Sequence, residues 1–444
     1  MGLVHISTPD LDENRSVWTD RQPPYTPQAA LSGPVQADIV IIGGGLTGLS
    51  TAWHVLERFP DRKVALVEGR TIGNGASGRN GGMVLNWIYG IDGGSPEGNK
   101  AIYDLTRSGI DFIEALIRDE RMPVRFSRDG HMEVFTRNHT AEEGHRWVEQ
   151  RASWGVPVRW LNADEARSKI QLEGVVGALY EADTARINSL DFVRAWRELL
   201  LKRGLLLYEH SPVLKIEEGR NVVVTTAKGE IRAPALVLAT NAYTPKLGYF
   251  RGQIAPIHSY VVATEVLPPE VRDQIGWNIG GFSDDYDRIA YGTITRDGRV
   301  VFGGGANQSY AYLYGGGTAH PPERPAAYDG ILAHLRRYLP ALANTRLEHR
   351  WAGPVALTLD RSPSIGVRGE HKNVYYSVGY CGHGITLGTV AGRILADLYA
   401  DHHEPWRSFP FYNRRLPWMP GEPFRFLGYH AYTTLTGRSP RRYR

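Results

Sequence analysis

Glycine falls at positions 43, 45 and 48 in the run Gly43-Gly44-Gly45-Leu46-Thr47-Gly48. That spacing has a physical use. Glycine at 43 permits a tight turn. Glycine at 45 lets backbone approach a pyrophosphate, and glycine at 48 lets a helix lie close on a strand. The free amides and positive dipole end of a following helix would then face the phosphates. Glu68, 20 residues past Gly48, offers a carboxylate to a ribose 2′-hydroxyl and disfavours a 2′-phosphate. The chemistry implied is the holding of a dinucleotide.

The flanking residues supply the elements that such a turn needs. Residues 37–42 are an apolar run, as in a buried parallel strand, residues 49–59 read as a helix, and residues 63–68 as a second strand. This is a βαβ unit of ordinary length. The motif alone does not separate NAD from FAD. The next segment does. Residues 70–82 carry five glycines with Ser77, Arg79 and Asn80, which suits a second stretch of backbone folded over an extended dianionic cofactor.

Further strands are expected at 205–216, with Val213 inside, and at 235–239 and 374–378. A helix is expected at 189–203, and another at 384–400 after the glycine turn Gly379-Tyr380-Cys381-Gly382-His383-Gly384. Asn162 is a candidate N-cap for a short helix. Residues 253–264, 288–295 and 299–302 are strand-like, with Asp297-Gly298 as a hairpin signal. They predict an antiparallel sheet apart from the parallel one. The expected fold is α/β, a Rossmann-type FAD-binding domain interleaved with an antiparallel-sheet substrate domain. Segments 37–100, 155–245 and 348–405 are assigned to the first domain, and 101–154 and 246–347 to the second. Residues 1–36 form an N-terminal arm and 406–444 a basic tail.

Taken together, these stretches resemble the FAD-dependent amine and amino-acid oxidases typified by D-amino acid oxidase, glycine oxidase and sarcosine oxidase. Gly75-Ala76-Ser77-Gly78-Arg79-Asn80-Gly81-Gly82 is most similar to the γ-glutamylputrescine oxidase branch. The resemblance continues through Ala239-Thr240-Asn241-Ala242-Tyr243, Asp297-Gly298-Arg299, and Trp351-Ala352-Gly353 to Asp360. It implies noncovalent FAD along Gly43, Gly45, Leu46, Thr47, Gly48, Glu68, Gly69, Arg70, Ser77, Arg79, Asn80, Gly81 and Gly82. Val213, Ala239, Thr240, Gly353, Asp360, Gly382, His383, Gly384, Ile385 and Thr386 complete that set. It also implies hydride transfer from a C–N carbon to the flavin, hydrolysis of the imine, and reoxidation by oxygen to hydrogen peroxide.

Candidate catalytic residues are His258 and Tyr260 on the strand whose counterpart lines the substrate cavity, Trp351 as a wall, and His383 in the flavin turn. Relatives that oxidise amino acids clamp the carboxylate with an arginine on the strand before Asp297-Gly298-Arg299. Here that stretch has none; Arg288 precedes it and Arg296 sits at its turn. This favours an amine or substituted amine. The acidic run 283–287 reads as a solvated loop. Cys381 reads as a small buried residue, not a flavin attachment point.

Composition narrows the rest. The chain has 444 residues, a net charge of +4 and 50 glycines, so glycine is in excess of the usual ~7%. One cysteine excludes an internal disulfide framework and a multi-thiolate zinc site, and no metal is expected. The small net charge speaks against a dedicated nucleic-acid binder. Arg438, Arg441, Arg442 and Arg444 leave an RNA-associated flavoprotein as an alternative, beside a dehydrogenase passing electrons to a quinone or carrier. No apolar run is long enough to span a membrane and no secretory leader is evident, so a cytoplasmic protein is expected.

Overall fold

A computed structural model of the chain describes residues 2–4, 6, 10–20, 22–88, 90–305, 308–321 and 324–436. The four arginines of the tail lie outside the described residues.

The glycine turn is held by a six-stranded sheet. Its order is Leu206–Tyr208, Val64–Val67, Ile39–Ile42, Ala235–Leu238, Val374–Val378 and Ser364–Arg368. The first five run parallel and the last is antiparallel. Ile39–Ile42 and Val64–Val67 are buried at every residue, as continuous apolar strands covered on both faces must be. Helix Leu46–Arg58 connects them. It packs against helix Gly384–Tyr399, where a Cβ on Gly392 would stand 2.3 Å from the Ser50 Cβ. Glycine there brings two helix N-termini to one end of the sheet.

A nine-stranded sheet forms the second body of structure. Its path is Tyr310–Tyr312, Ala255–Thr264, Val300–Gly304, Ala290–Ile294, Gly281–Asp284, His131–Phe135, Gly177–Glu181 and Val158–Asn162, with Leu347–Leu357 paired to Ala255–Thr264. Pairing is antiparallel apart from Gly281–Asp284 on His131–Phe135. The hairpin at Asp297-Gly298 forms, with Gly298 at φ +89°. Asn162 caps the helix Ala163–Arg167 in a reciprocal bond pair with Glu165.

The segments interleave more finely than the sequence suggests. Val158–Asn162, Gly177–Glu181 and Leu347–Leu357 belong to the nine-stranded sheet, although their stretches were expected with the parallel one. Helix Pro96–Asp119 packs the other way. A Cβ on its Gly109 would meet the Val390 Cγ2 at 2.4 Å, against helix Gly384–Tyr399. The strand expected over 205–216 is two strands, Leu206–Tyr208 and Lys215–Glu218. The acidic run is no solvated loop. Asp284 and Asp285 are fully buried; Asp284 accepts from the Tyr338 hydroxyl at 3.0 Å and the Ala290 amide at 2.9 Å. Among the described residues, no helix is long and apolar enough to cross a membrane.

Candidate cofactor and substrate site

A cavity of about 1250 Å³ is lined from both sheets. It exceeds the ~300–1,000 Å³ usual for a single small ligand, as befits a long cofactor and a substrate together.

Gly43, Gly45, Leu46 and Thr47 form its wall at the start of helix Leu46–Arg58. Gly43 sits at φ +114°, and a Cβ on Gly45 would meet the Ser77 Oγ at 2.8 Å. Gly48 is behind the wall; a Cβ there would lie 2.0 Å from the Gly43 carbonyl oxygen, so its role is close packing. Glu68 lines the cavity and accepts from the Gly44 amide at 2.7 Å and the Arg70 amide at 2.8 Å. Burial pushes its carboxyl up, while those amides pull it down. Each of its oxygens keeps acceptor capacity for a hydroxyl. Gly69 is beside it, and Ser211, Pro212 and Val213 face the same space, in the break between the two strands expected as one.

The second glycine segment folds over the first. Ser77, Arg79, Asn80 and Gly81 line the cavity. Arg79 is buried, donates through Nε to the Asn74 carbonyl at 2.7 Å, and pairs with Asp12 at 3.2 Å. The N-terminal arm thus closes on this loop. Asn14 Nδ2 and Ser16 Oγ both donate to the Gly78 carbonyl at 2.7 Å. Besides Gly48, three expected cofactor residues stand off the cavity. Arg70 turns its guanidinium to the Leu11 carbonyl. Gly82, at φ +76°, packs on the Ile187 carbonyl. Thr386 donates to the Leu85 carbonyl at 2.5 Å.

The second helix N-terminus completes the cradle. Gly382, His383, Gly384 and Ile385 line it, with Ala239, Thr240, Gly353 and Asp360. Gly382 has φ +97° and nothing within 4 Å of its Cβ position. The Tyr380 hydroxyl bonds Thr47 at 2.7 Å and Ser377 at 2.8 Å, tying the two N-termini; burial pushes it up to about 12. Cys381 is half-buried on the cavity wall, 3.6 Å from the Thr358 hydroxyl, and burial raises its thiol. The buried Tyr243 hydroxyl, also on the wall, has no hydrogen-bond partner among the described residues. Two helix N-termini, bare glycine backbone, a ribose-facing acid and an orphaned hydroxyl fit FAD.

The candidate catalytic residues fare differently. Ile257, Ser259 and Val261 face the cavity, whereas His258 and Tyr260 point to the opposite face of their strand. His258 is fully buried with Nε2 3.0 Å from the Gly317 carbonyl. Tyr260 packs edge-on against Tyr328. Trp351 is also buried; its Nε1 donates to the Arg79 carbonyl at 2.9 Å, bracing the loop from behind. Only His383 of the four reaches the cavity. Sequence reading missed Tyr291, whose hydroxyl stands 3.2 Å from Ser259 Oγ on the cavity side. Arg288 lines the cavity and donates to the Thr433 carbonyl, while Arg296 is exposed at its turn. Helix Phe424–Thr436 of the tail also contributes Tyr429, Tyr432, Thr433 and Thr436.

The comparisons agree with this geometry. Residues 38–398 match the family model of FAD-dependent oxidoreductases known as DAO. The chain therefore belongs to that family, and FAD is its cofactor. It is 28% identical over 441 residues to gamma-glutamylputrescine oxidoreductase of Escherichia coli (strain K12), covering 93% of this chain and 96% of that protein. It is 25% identical over 379 residues to sarcosine oxidase subunit beta of Rhizobium meliloti (strain 1021), covering 82% and 84%. The crystal structure of glycine oxidase from Geobacillus kaustophilus superimposes with a TM-score of 0.74 at 21% identity, covering 86% of this chain and 99% of that one.

Proposed function

We propose that the chain oxidises a C–N bond of a small amine or amino acid, with noncovalently bound FAD. The observation that carries this reading is one cavity in which the cradle for the cofactor meets a sheet face bearing Ile257, Ser259, Val261 and Tyr291. Bound FAD supplies a two-electron acceptor for the hydride that leaves the carbon beside nitrogen. The protein's own part is positioning. Ser259 and Tyr291 offer hydroxyls to the amine. Ile257 and Val261 exclude water beside them. Helix Gly384–Tyr399 places its positive end where negative charge gathers.

The amine nitrogen loses its proton to water before or during transfer, leaving an imine that hydrolyses to a carbonyl compound and an amine or ammonia. We take oxygen as the final acceptor and hydrogen peroxide as the second product. An amine panel read by oxygen uptake, peroxide and dye reduction tests this. Peroxide formed in step with substrate use supports it. Dye reduction without oxygen uptake would assign the electrons to a quinone or carrier protein instead.

A further inference from the structure

The tail helix Phe424–Thr436 has two unlike faces. One is turned to the protein. There Phe426 sets its ring 5.7 Å from that of Tyr314, Tyr429 lies 5.9 Å from Tyr312, and Thr433 and Thr436 line the cavity. The other face is Phe424, Leu427, Gly428, Ala431 and Leu435, all exposed, at the spacing of one helical stripe. Phe424 is 70% exposed, Leu427 58% and Leu435 85%. Apolar side chains scattered singly on a surface are ordinary, but an aligned stripe marks a contact surface. No residue on this stripe is charged.

The charge beside the stripe has one sign. Residues 424–444 hold Arg425, Arg438, Arg441, Arg442 and Arg444 and no Asp or Glu. That charge separates the possible occupants. A second copy of the chain would bring its own five arginines against these. A nucleic acid would match the arginines and leave Phe424, Leu427 and Leu435 in water. An anionic lipid surface satisfies both features, with the apolar side chains below the headgroups and the guanidiniums on the phosphates. At 13 residues the helix is too short to cross a hydrocarbon core of ~30 Å, so it would lie in the plane of the interface.

We propose that helix Phe424–Thr436 and the arginines that follow it dock the protein on an anionic lipid bilayer. Tyr432, half-exposed, lines the cavity from the same helix, so docking sets that end of the cavity at the headgroup layer. Cosedimentation of the holoenzyme with vesicles tests this. Phosphatidylcholine vesicles with about one-third phosphatidylglycerol should carry the protein down at about 0.05 M salt, and pure phosphatidylcholine should hold it at least about 10-fold more weakly. Leu427→Ser/Leu435→Ser should lower partitioning about 10-fold or more, while flavin absorbance and melting temperature stay as in the wild type. Arg438→Gln/Arg441→Gln/Arg442→Gln/Arg444→Gln should lower it about 100-fold on the anionic vesicles. A wild-type protein that stays in the supernatant with anionic vesicles overturns the proposal. If it also sediments as a dimer that Leu427→Ser/Leu435→Ser dissociates, the stripe belongs to a second copy. Vesicle binding that the leucine substitutions leave unmoved also overturns it; the arginines alone then hold a polyanion, and single-stranded RNA should bind as well.

Discussion

The hydroxyl of Ser77 accepts a hydrogen bond from the amide of Leu46 at 3.0 Å, joining glycine-rich segments 31 residues apart in the chain. Neither segment is a cofactor site by itself. One gives the helix N-terminus and the other the cover. Gly45 lies between them, and a Cβ there would stand 2.8 Å from the same hydroxyl.

Gly45→Val should therefore yield a folded protein that loses its flavin. Visible absorbance of the purified variant and FAD titration measure this, with an expected affinity loss of about 100-fold or more. Gly48→Ala differs in kind. Its Cβ meets the Gly43 carbonyl at 2.0 Å, so it should lower stability by about 1–3 kcal/mol, seen in denaturant unfolding.

The two faces of strand Ala255–Thr264 make a second test. Tyr291→Phe removes the hydroxyl that meets Ser259 on the cavity side and should lower kcat/KM about 10-fold. Tyr260→Phe, on the opposite face, should change it less than about 2-fold. Steady-state kinetics with one amine decides between the faces.

That contrast shows where the sequence was readable. The glycine spacing, the acid at Glu68 and the apolar strands carry strong signals, because backbone contact with a cofactor constrains residue type. Strand Ala255–Thr264 carries none for phase. All ten of its residues are buried, so no polar alternation marks which face is which, and the expectation that His258 and Tyr260 line the cavity fails here. The tail helix buries no residue of its own, so its place over the cavity follows from tertiary structure alone. The arm's reach to Gly78 and Arg79 is likewise nonlocal.

Histidine protonation should set the acid limit of stability. Burial holds His54 and His334 down to about 4 and also lowers His258. In the unfolded chain each returns to its ordinary value near 6.5. The unfolded state then binds protons that the folded state refuses, so stability is full above about 6.5 and falls as pH drops toward 4. Thermal melts of the holoenzyme across pH 4–8 should show that decline. His258→Asn, which acts by packing and not by chemistry, should leave the pH profile of kcat unmoved.

The tail helix should matter for substrate retention. Tyr432 donates to Asp287 at 3.2 Å, and Arg288 donates to the Thr433 carbonyl. Truncation after Pro423 removes four cavity-lining residues, Tyr429, Tyr432, Thr433 and Thr436. It should raise KM about 10-fold while the flavin spectrum persists, as read by kinetics on the truncated chain.

The most direct test is anaerobic mixing of the yellow holoenzyme with an amine substrate in a stopped-flow spectrometer. The flavin absorbance should bleach in a single substrate-dependent phase and return on admitting oxygen, with one peroxide formed per carbonyl product. A protein that binds no FAD, or a bound flavin that no amine or amino acid bleaches, would contradict the account.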